Sequence, residues 1–314
     1  SKVTTLRSIA RPYLDVGYGH QLHYEIAGDI TTDVPLLFVH GGPGAGVSTA
    51  DKALFAGLQR PVVYFDQRGC GLSRFEQRLN GNTTEQLVED IEKLRNALSL
   101  PKLILVGGSW GSTLSLLYAV RYPQYIDSML LWGIFLCRQQ ELDWFYQHGA
   151  SQLYPEEFQK FMCQVDGAAD PVAAYFDLLT TGSEEQQRAA AASWARWEAV
   201  NSFFDTDEAT LGRFAQAESA LPMALLESYY FKHQGFLPAD YILRHCQPLQ
   251  TISVDIVQGR LDTICPCGTA WQLAKHLANC RLYISPRASH AASEPENFAA
   301  LRTLLHKLEP AARV

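Results

Sequence analysis

Three groups of residues in this chain have types and spacing that could make and break a covalent bond: a serine between glycines, an acid and a histidine late in the chain, and an early His-Gly-Gly run. Gly107-Gly108-Ser109-Trp110-Gly111 follows the apolar run Leu103 to Val106 and leads into a helical pattern, Ser112 to Tyr122, stopped by Pro123. A sharp strand-to-helix turn holds such a serine in a strained conformation with its hydroxyl projecting, and the flanking glycines remove side chains that would collide there. The first helical turn also leaves N–H groups unpaired beside it. Ser109 is therefore the candidate nucleophile rather than a helix cap.

A serine hydroxyl is a poor nucleophile near neutral pH. It needs a histidine base, and the histidine needs a carboxylate to fix its tautomer. Serine sites on strand–turn–helix elbows use the chain order Ser, acid, His. Asp262, in Gly259-Arg-Leu-Asp262, follows the predicted strand Ile252 to Val257, and His290, in Ser289-His-Ala291, follows the predicted strand Arg281 to Ile284. Both then lie on loops at the same sheet edge as Ser109. His276 and His306 fall inside helical patterns, and Asp255 is mid-strand, where a carboxylate is structural. His40-Gly41-Gly42-Pro43-Gly44 closes another buried strand. A tetrahedral intermediate needs two backbone donors, which the pattern assigns to Gly42 N–H and Trp110 N–H. A phosphate loop is excluded because no Gly-Lys-Ser/Thr follows.

The elements that must position these residues read as an α/β fold: a mostly parallel sheet flanked by helices. Gln21 to Ile26 alternates like a strand near an edge, while Pro35 to Val39 and Pro61 to Phe65 are short apolar runs suited to strands buried on both faces. Thr83 with Gln86 forms a capping-box signature ahead of Leu87, Ile91, Leu94 and Leu98. Ser128 to Trp132 is a further strand. From Ile134 to Asp240 no strand pattern remains and apolar residues fall at helical intervals, whereas Thr269 to Ala278 and Pro295 to Leu308 are helices of the returning α/β pattern. The chain is thus predicted to hold a catalytic domain over 1–133 and 241–314, split by an inserted all-helical cap over 134–240.

Composition narrows the function. The 314 residues carry 26 Lys+Arg against 33 Asp+Glu, a formal charge of −7, with no basic stripe for nucleic acid. The longest apolar run, Met129 to Cys137, is far short of the roughly 20 residues of a membrane span. The N-terminus shows no leader pattern. Seven widely spaced cysteines point to a reducing, cytoplasmic compartment, and Cys265-Pro-Cys267 lacks a second pair at zinc-finger spacing, so no metal or organic cofactor is expected.

His40 to Gly44, Phe65-Asp-Gln-Arg-Gly-Cys-Gly-Leu-Ser73, Asn82-Thr-Thr84 and Gly107-Gly-Ser-Trp-Gly-Ser112 together resemble the signatures of the prolyl aminopeptidase (proline iminopeptidase) family, peptidase family S33 of the α/β-hydrolase fold. The resemblance runs over nearly the whole chain. It departs where the family commonly has Arg and this chain has Leu72, and at Arg74-Phe75-Glu76 in place of a Pro-His pair. The resemblance implies a serine exopeptidase that removes an N-terminal residue, preferentially proline, from small peptides with a free N-terminus.

It further implies two cap glutamates for the α-amino group: Glu198 in Trp194-Ala-Arg-Trp-Glu198, and Glu227 ahead of Tyr230-Phe231. A buried ammonium requires such partners. Phe135, Phe145 and Phe231 would form the apolar wall for a proline ring. Two alternatives share the sequence: an amino-acid amidase or esterase of the same fold, and a non-catalytic hydrolase-like binding protein. Epoxide hydrolase or dehalogenase chemistry uses Asp at the elbow and is excluded by Ser109. The insertion holds 16 acidic and 6 basic residues and 18 of the 35 aromatics, a negative, aromatic cap that favours cationic peptide N-termini.

Overall fold

The computed structural model of the chain describes residues 12–311; residues 1–11, where no leader pattern was read, and 312–314, at the end of the predicted catalytic domain, lie outside the described residues. Nine strands form one sheet: β1 (Tyr13–Gly17), β2 (His20–Ala27), β3 (Leu36–Val39), β4 (Val62–Phe65), β5 (Arg74–Phe75), β6 (Leu103–Ser109), β7 (Ile126–Ile134), β8 (Ser253–Gly259) and β9 (Cys280–Ser285). Their spatial order is β1-β2-β4-β3-β6-β7-β8-β9, with β5 paired to β2 off this path. The β1, β2 and β4 pairings are antiparallel, and every pairing from β4 through β9 is parallel.

The short apolar runs become strands because both their faces are covered. Leu37, Val63, Leu105 and Leu131 point into one core, shared with helices α2 (Thr84–Ala97) and α3 (Trp110–Arg121), which follow the short α1 (Thr49–Ala53) in the chain. Leu36, Phe38, Val62, Tyr64, Ile104, Val106 and Leu130 point into the other, where α13 (Pro295–Lys307) contributes Leu301, Leu304 and Leu305. Strand β6 sits at the centre of the sheet, between β3 and β7. It therefore delivers Ser109 to the middle of the sheet's C-terminal edge.

Between β7 and β8 the chain is helical, in eight segments: α4 (Gln139–Tyr146), α5 (Ala150–Leu153), α6 (Pro155–Cys163), α7 (Pro171–Thr181), α8 (Glu184–Ser202), α9 (Glu208–Phe214), α10 (Ala217–Lys232) and α11 (Tyr241–Arg244). A capping box formed by Ser183 and Gln186 starts α8. Its buried face presents Ala190, Ala191, Trp194 and Trp197, and α7 and α10 pack against it. Helix α12 (Cys267–Lys275) follows β8. Among the described residues no helix is long and apolar enough to cross a membrane.

Two expectations need correction, and one element was not anticipated. The capping box at Thr83 and Gln86 is not made: Thr83 occupies the N-cap position but its side chain makes no capping bond. The neighbouring Thr84 hydroxyl is instead spent on Gly235 O, 2.5 Å away, near the end of the helical segments. The helix after the elbow begins at Trp110 rather than Ser112, so Ser109 stands at its N-cap position, though its hydroxyl makes no capping bond. Finally, Arg74 and Phe75 form the short strand β5, which their composition did not suggest.

Leu105 is fully buried at the centre of the sheet. Leu105→Ala should lower unfolding free energy by about 2–5 kcal/mol through lost transfer energy and a residual cavity. Chemical denaturation would measure it; a loss within about 0.5 kcal/mol, the range of ordinary surface substitutions, would contradict the packing described.

Candidate active site

The elbow is built by close approach. Ser109 has φ 55° and ψ −125°, a conformation that costs an L-residue about 1–3 kcal/mol. A Cβ on Gly111 would collide with the Val39 carbonyl oxygen, so glycine is what lets α3 start directly against β3. Val39 in turn ends the strand that delivers His40 to Gly42. Gly42 has φ +115°, and a Cβ there would meet the Gly44 nitrogen.

The loop bearing Gly42 is held by His40 and Gln67. His40 is fully buried, and desolvation lowers its pKa against the pull of Asp66. Gln67 N–H donates to His40 Nε2 at 2.9 Å, so the ring proton sits on Nδ1, which donates to Gly41 O at 2.8 Å. That bond fixes the planar peptide carrying Gly42 N–H. The Gln67 side chain then spans both loops of interest, donating to His40 O at 2.8 Å and accepting from Trp110 Nε1 at 3.0 Å. Arg68, next in the chain, is buried in an ion pair with Asp90 at 2.7 Å.

His290 Nδ1 lies 2.7 Å from Asp262 Oδ2. The other Asp262 oxygen accepts Ile264 N–H at 2.9 Å and Cys265 N–H at 2.8 Å, which aims the carboxylate. Burial works against a charged His290, but the Asp262 charge, its hydrogen bond and the Glu198 charge outweigh it and raise the imidazole above its ordinary value of 6.5.

Eight of the ten predicted site residues line one cavity of about 210 Å³: Gly42, Ser109, Phe135, Phe145, Glu198, Glu227, Phe231 and His290. That is below the roughly 300–1,000 Å³ of drug-sized pockets, a size suited to one residue. Asp262 lies behind His290, and the Trp110 ring is turned to Gln67. Phe135 and Phe231 meet edge to face at 5.6 Å, and Phe145 stacks on Trp197 at 5.6 Å.

Glu227 is 3% exposed and accepts Trp194 Nε1 at 2.7 Å. The Glu198 carboxyl lies beside it, within hydrogen-bonding reach. Burial first, then the Glu198 charge, drives Glu227 well above the ordinary carboxylate range; burial also raises Glu198. Neither acid sits on a solvated helix face, the usual place of a glutamate. Helix α10 is anchored beside them, with the Tyr230 hydroxyl donating to Asn82 Oδ1.

Sequence reasoning missed Gln67 and also Cys265, whose thiol is buried in the cavity wall within hydrogen-bonding reach of Ser109. Only the position of Cys265, three residues past Asp262, hinted at it. None of residues 72–76, where the family pattern is broken, lines the cavity. Among the described residues no group of three or more His, Cys, Asp or Glu is arranged to hold a metal ion.

A serine at a strand–helix elbow, with a carboxylate-held histidine across the same cavity, defines the α/β-hydrolase class. Residues 34–296 match the family model for the alpha/beta hydrolase fold, and the chain belongs to that family and, within it, to the proline iminopeptidases. It is 38% identical to the proline iminopeptidase of Xylella fastidiosa over 92% of this chain and 93% of that one. It is 39% identical to that of Neisseria meningitidis (95% and 96%) and 37% identical to that of Arabidopsis thaliana (97% and 82%). Among solved structures, a proline iminopeptidase of Mycobacterium smegmatis superposes with a TM-score of 0.63 at 19% identity, covering 94% of this chain and 98% of that one. The meta-cleavage product hydrolase of Pseudomonas fluorescens does so at 0.60 and 19% (93% and 95%), a likeness of fold.

An imidazole must be neutral to accept a proton, so raising its pKa moves the acid limb of activity upward. With a plain acyl ester, kcat/KM should rise with pH through a midpoint above 6.5. A midpoint at or below that value in a pH–rate profile would contradict the environment described for His290.

Proposed function

We propose that this protein is a serine exopeptidase that releases an N-terminal residue, preferentially proline, from small peptides. The observation that carries this reading is the pair of carboxyls, buried Glu227 and partly buried Glu198, facing the same cavity as Ser109 and His290. Two buried acids repel each other and are costly unless a proton or a cation lies between them. A peptide's ammonium group is such a cation, and it stands at the end of the substrate that an aminopeptidase must recognise.

In the proposed cycle Glu198 and Glu227 hold the ammonium while Phe135, Phe145 and Phe231 enclose the side chain. His290 takes the proton from Ser109 Oγ as that oxygen bonds to the carbonyl carbon of the first residue. Gly42 and Trp110 N–H groups stabilise the oxyanion. His290 then protonates the leaving amine as the C–N bond breaks, leaving an acyl-enzyme on Ser109. Water, deprotonated by His290, attacks that ester and frees the amino acid. Asp262 holds the imidazole tautomer and balances its transient charge.

An apolar wall separates side chains of similar size by only about 1–3 kcal/mol, so alanine and other small N-terminal residues should also be cleaved, more slowly than proline. A panel of aminoacyl-arylamides with a butyrate ester tests this order. Faster turnover of the ester than of Pro-arylamide would favour the esterase alternative.

Ser109→Ala should lower Pro-arylamide hydrolysis by about 10³-fold or more with the fold retained. Wild-type turnover in that variant would overturn the nucleophile assignment, and failure of Ser109 to react with a fluorophosphonate would revive the non-catalytic reading. Glu198→Gln should lower kcat/KM for Pro-arylamide about 10- to 100-fold, the range for a charged hydrogen bond. An equal loss on the butyrate ester would show that Glu198 does not read the amino group.

A further inference from the structure

Helix α8 ends at Ser202, and the carbonyls of a last helical turn have no partner within the helix. Here the two loops that carry Asp262 and His290 supply the partners. Asn201 O accepts from Ser289 Oγ at 3.2 Å and from Thr263 Oγ1 at 3.3 Å. Ser202 O accepts His290 N–H at 3.2 Å and Ala291 N–H at 2.9 Å. The fully buried Asn201 side chain completes the seam: Oδ1 accepts from Thr263 Oγ1 at 2.7 Å, and Nδ2 donates to Trp197 O at 2.8 Å, one turn back. Glu294 extends it, its carboxylate accepting both Phe204 N–H at 3.0 Å and Ser289 N–H at 2.9 Å.

Glu198 lies one turn before Ser202 on this helix. Thr263 is the residue after Asp262, and its own carbonyl accepts Trp144 Nε1 from α4 at 2.8 Å. One side-chain pair, Asn201 and Thr263, therefore joins the helix bearing Glu198 to the loop bearing Asp262.

We infer that Asn201 and Thr263 are positioning residues that hold Glu198 in register with Asp262 and His290, and that this register sets the preference for substrates with a free α-amino group. The inference rests on the ammonium reading proposed above. In an N-terminal residue the amino nitrogen and the scissile carbonyl carbon are two covalent bonds apart, about 2.5 Å from standard backbone geometry. Once the carboxyls hold the nitrogen, the carbon's place is settled to within that fixed offset. A helix end that drifts carries the carbonyl away from Ser109, and a misplacement of about 1 Å can cost up to about 100-fold in rate. An acyl ester without an amino group does not sense the offset.

Thr263→Val keeps the side-chain shape and removes the hydroxyl that Asn201 Oδ1 accepts from. The ratio of kcat/KM for Pro-arylamide to that for butyrate ester should fall about ten-fold, while Thr263→Ser retains the ratio within about two-fold. In a Glu198→Gln background, Thr263→Val should lower the ratio no further, because both changes act through the same carboxyl. Equal loss on both substrates, or additive losses in the double variant, would overturn the inference. If Glu198→Gln alone leaves the ratio unmoved, the ammonium reading falls and the register with it. If Glu198→Gln lowers the ratio and Thr263→Val does not, the register alone falls.

Discussion

The constraint around which the rest of the molecule is arranged is the enclosure of two carboxyl groups, buried Glu227 and partly buried Glu198, in one aromatic cavity. Among the described residues neither Glu198 nor Glu227 has a basic side chain as a hydrogen-bond partner; beside them lie each other, one indole N–H and a His290 that is itself held by Asp262. Such a site is unfavourable until a proton or ammonium enters, so the surrounding helices must be stable enough to tolerate it. They are: Tyr146 stacks on Trp194 at 4.9 Å, Phe161 on Tyr175 at 4.6 Å, and the Tyr175 hydroxyl donates to Phe161 O at 2.7 Å. The aromatic richness of this segment supplies the rigidity that keeps the acids from turning out to water.

A second constraint acts on the opposite wall. Backbone donors can be presented to a reacting oxygen only if two loops, from β3 and β6, keep a common frame. Parallel pairing of those strands sets the frame coarsely. Gln67 refines it by touching both loops through one amide, and the tautomer it imposes on His40 holds the Gly41 carbonyl. The signature around Gln67 is therefore a brace between the loops rather than a binding surface, with Arg68 and Asp90 anchoring it from beneath.

The sequence made legible whatever is encoded locally. The elbow could be read because a strand, a Gly-Ser-Trp-Gly turn and a helix are contiguous, and Asp262 and His290 because each follows a recognisable apolar strand. The missed features are meetings of distant residues. Gln67 matters through His40 and Trp110, and Asn201 looks like any polar residue in a helix's last turn until Thr263 and Ser289 arrive on the loops that follow β8 and β9. The Thr83–Gln86 signature misleads for the same reason: Thr84 has a partner at Gly235 that no local pattern announces. The departure at Leu72 to Glu76 could be seen in the sequence, but not that Arg74 and Phe75 would pair with β2, away from the cavity.

The acidic excess of the helical segment divides along the same line between local and assembled. Glu157 and Glu208 flank Arg196, and Glu141 is buried against Arg138 at 2.8 Å, so these acids are spent on structure. Exposed acids such as Glu185 and Glu218 act only through a field that salt screens within about 8 Å at physiological ionic strength. They can raise the encounter rate of a cationic peptide, but they cannot tell an α-amino group from any other cation. Discrimination requires charges that are desolvated and fixed relative to the reacting group. In the function proposed above that part falls to two of the sixteen acids between Ile134 and Asp240, Glu198 and Glu227, and to the helix end that would hold Glu198 in place.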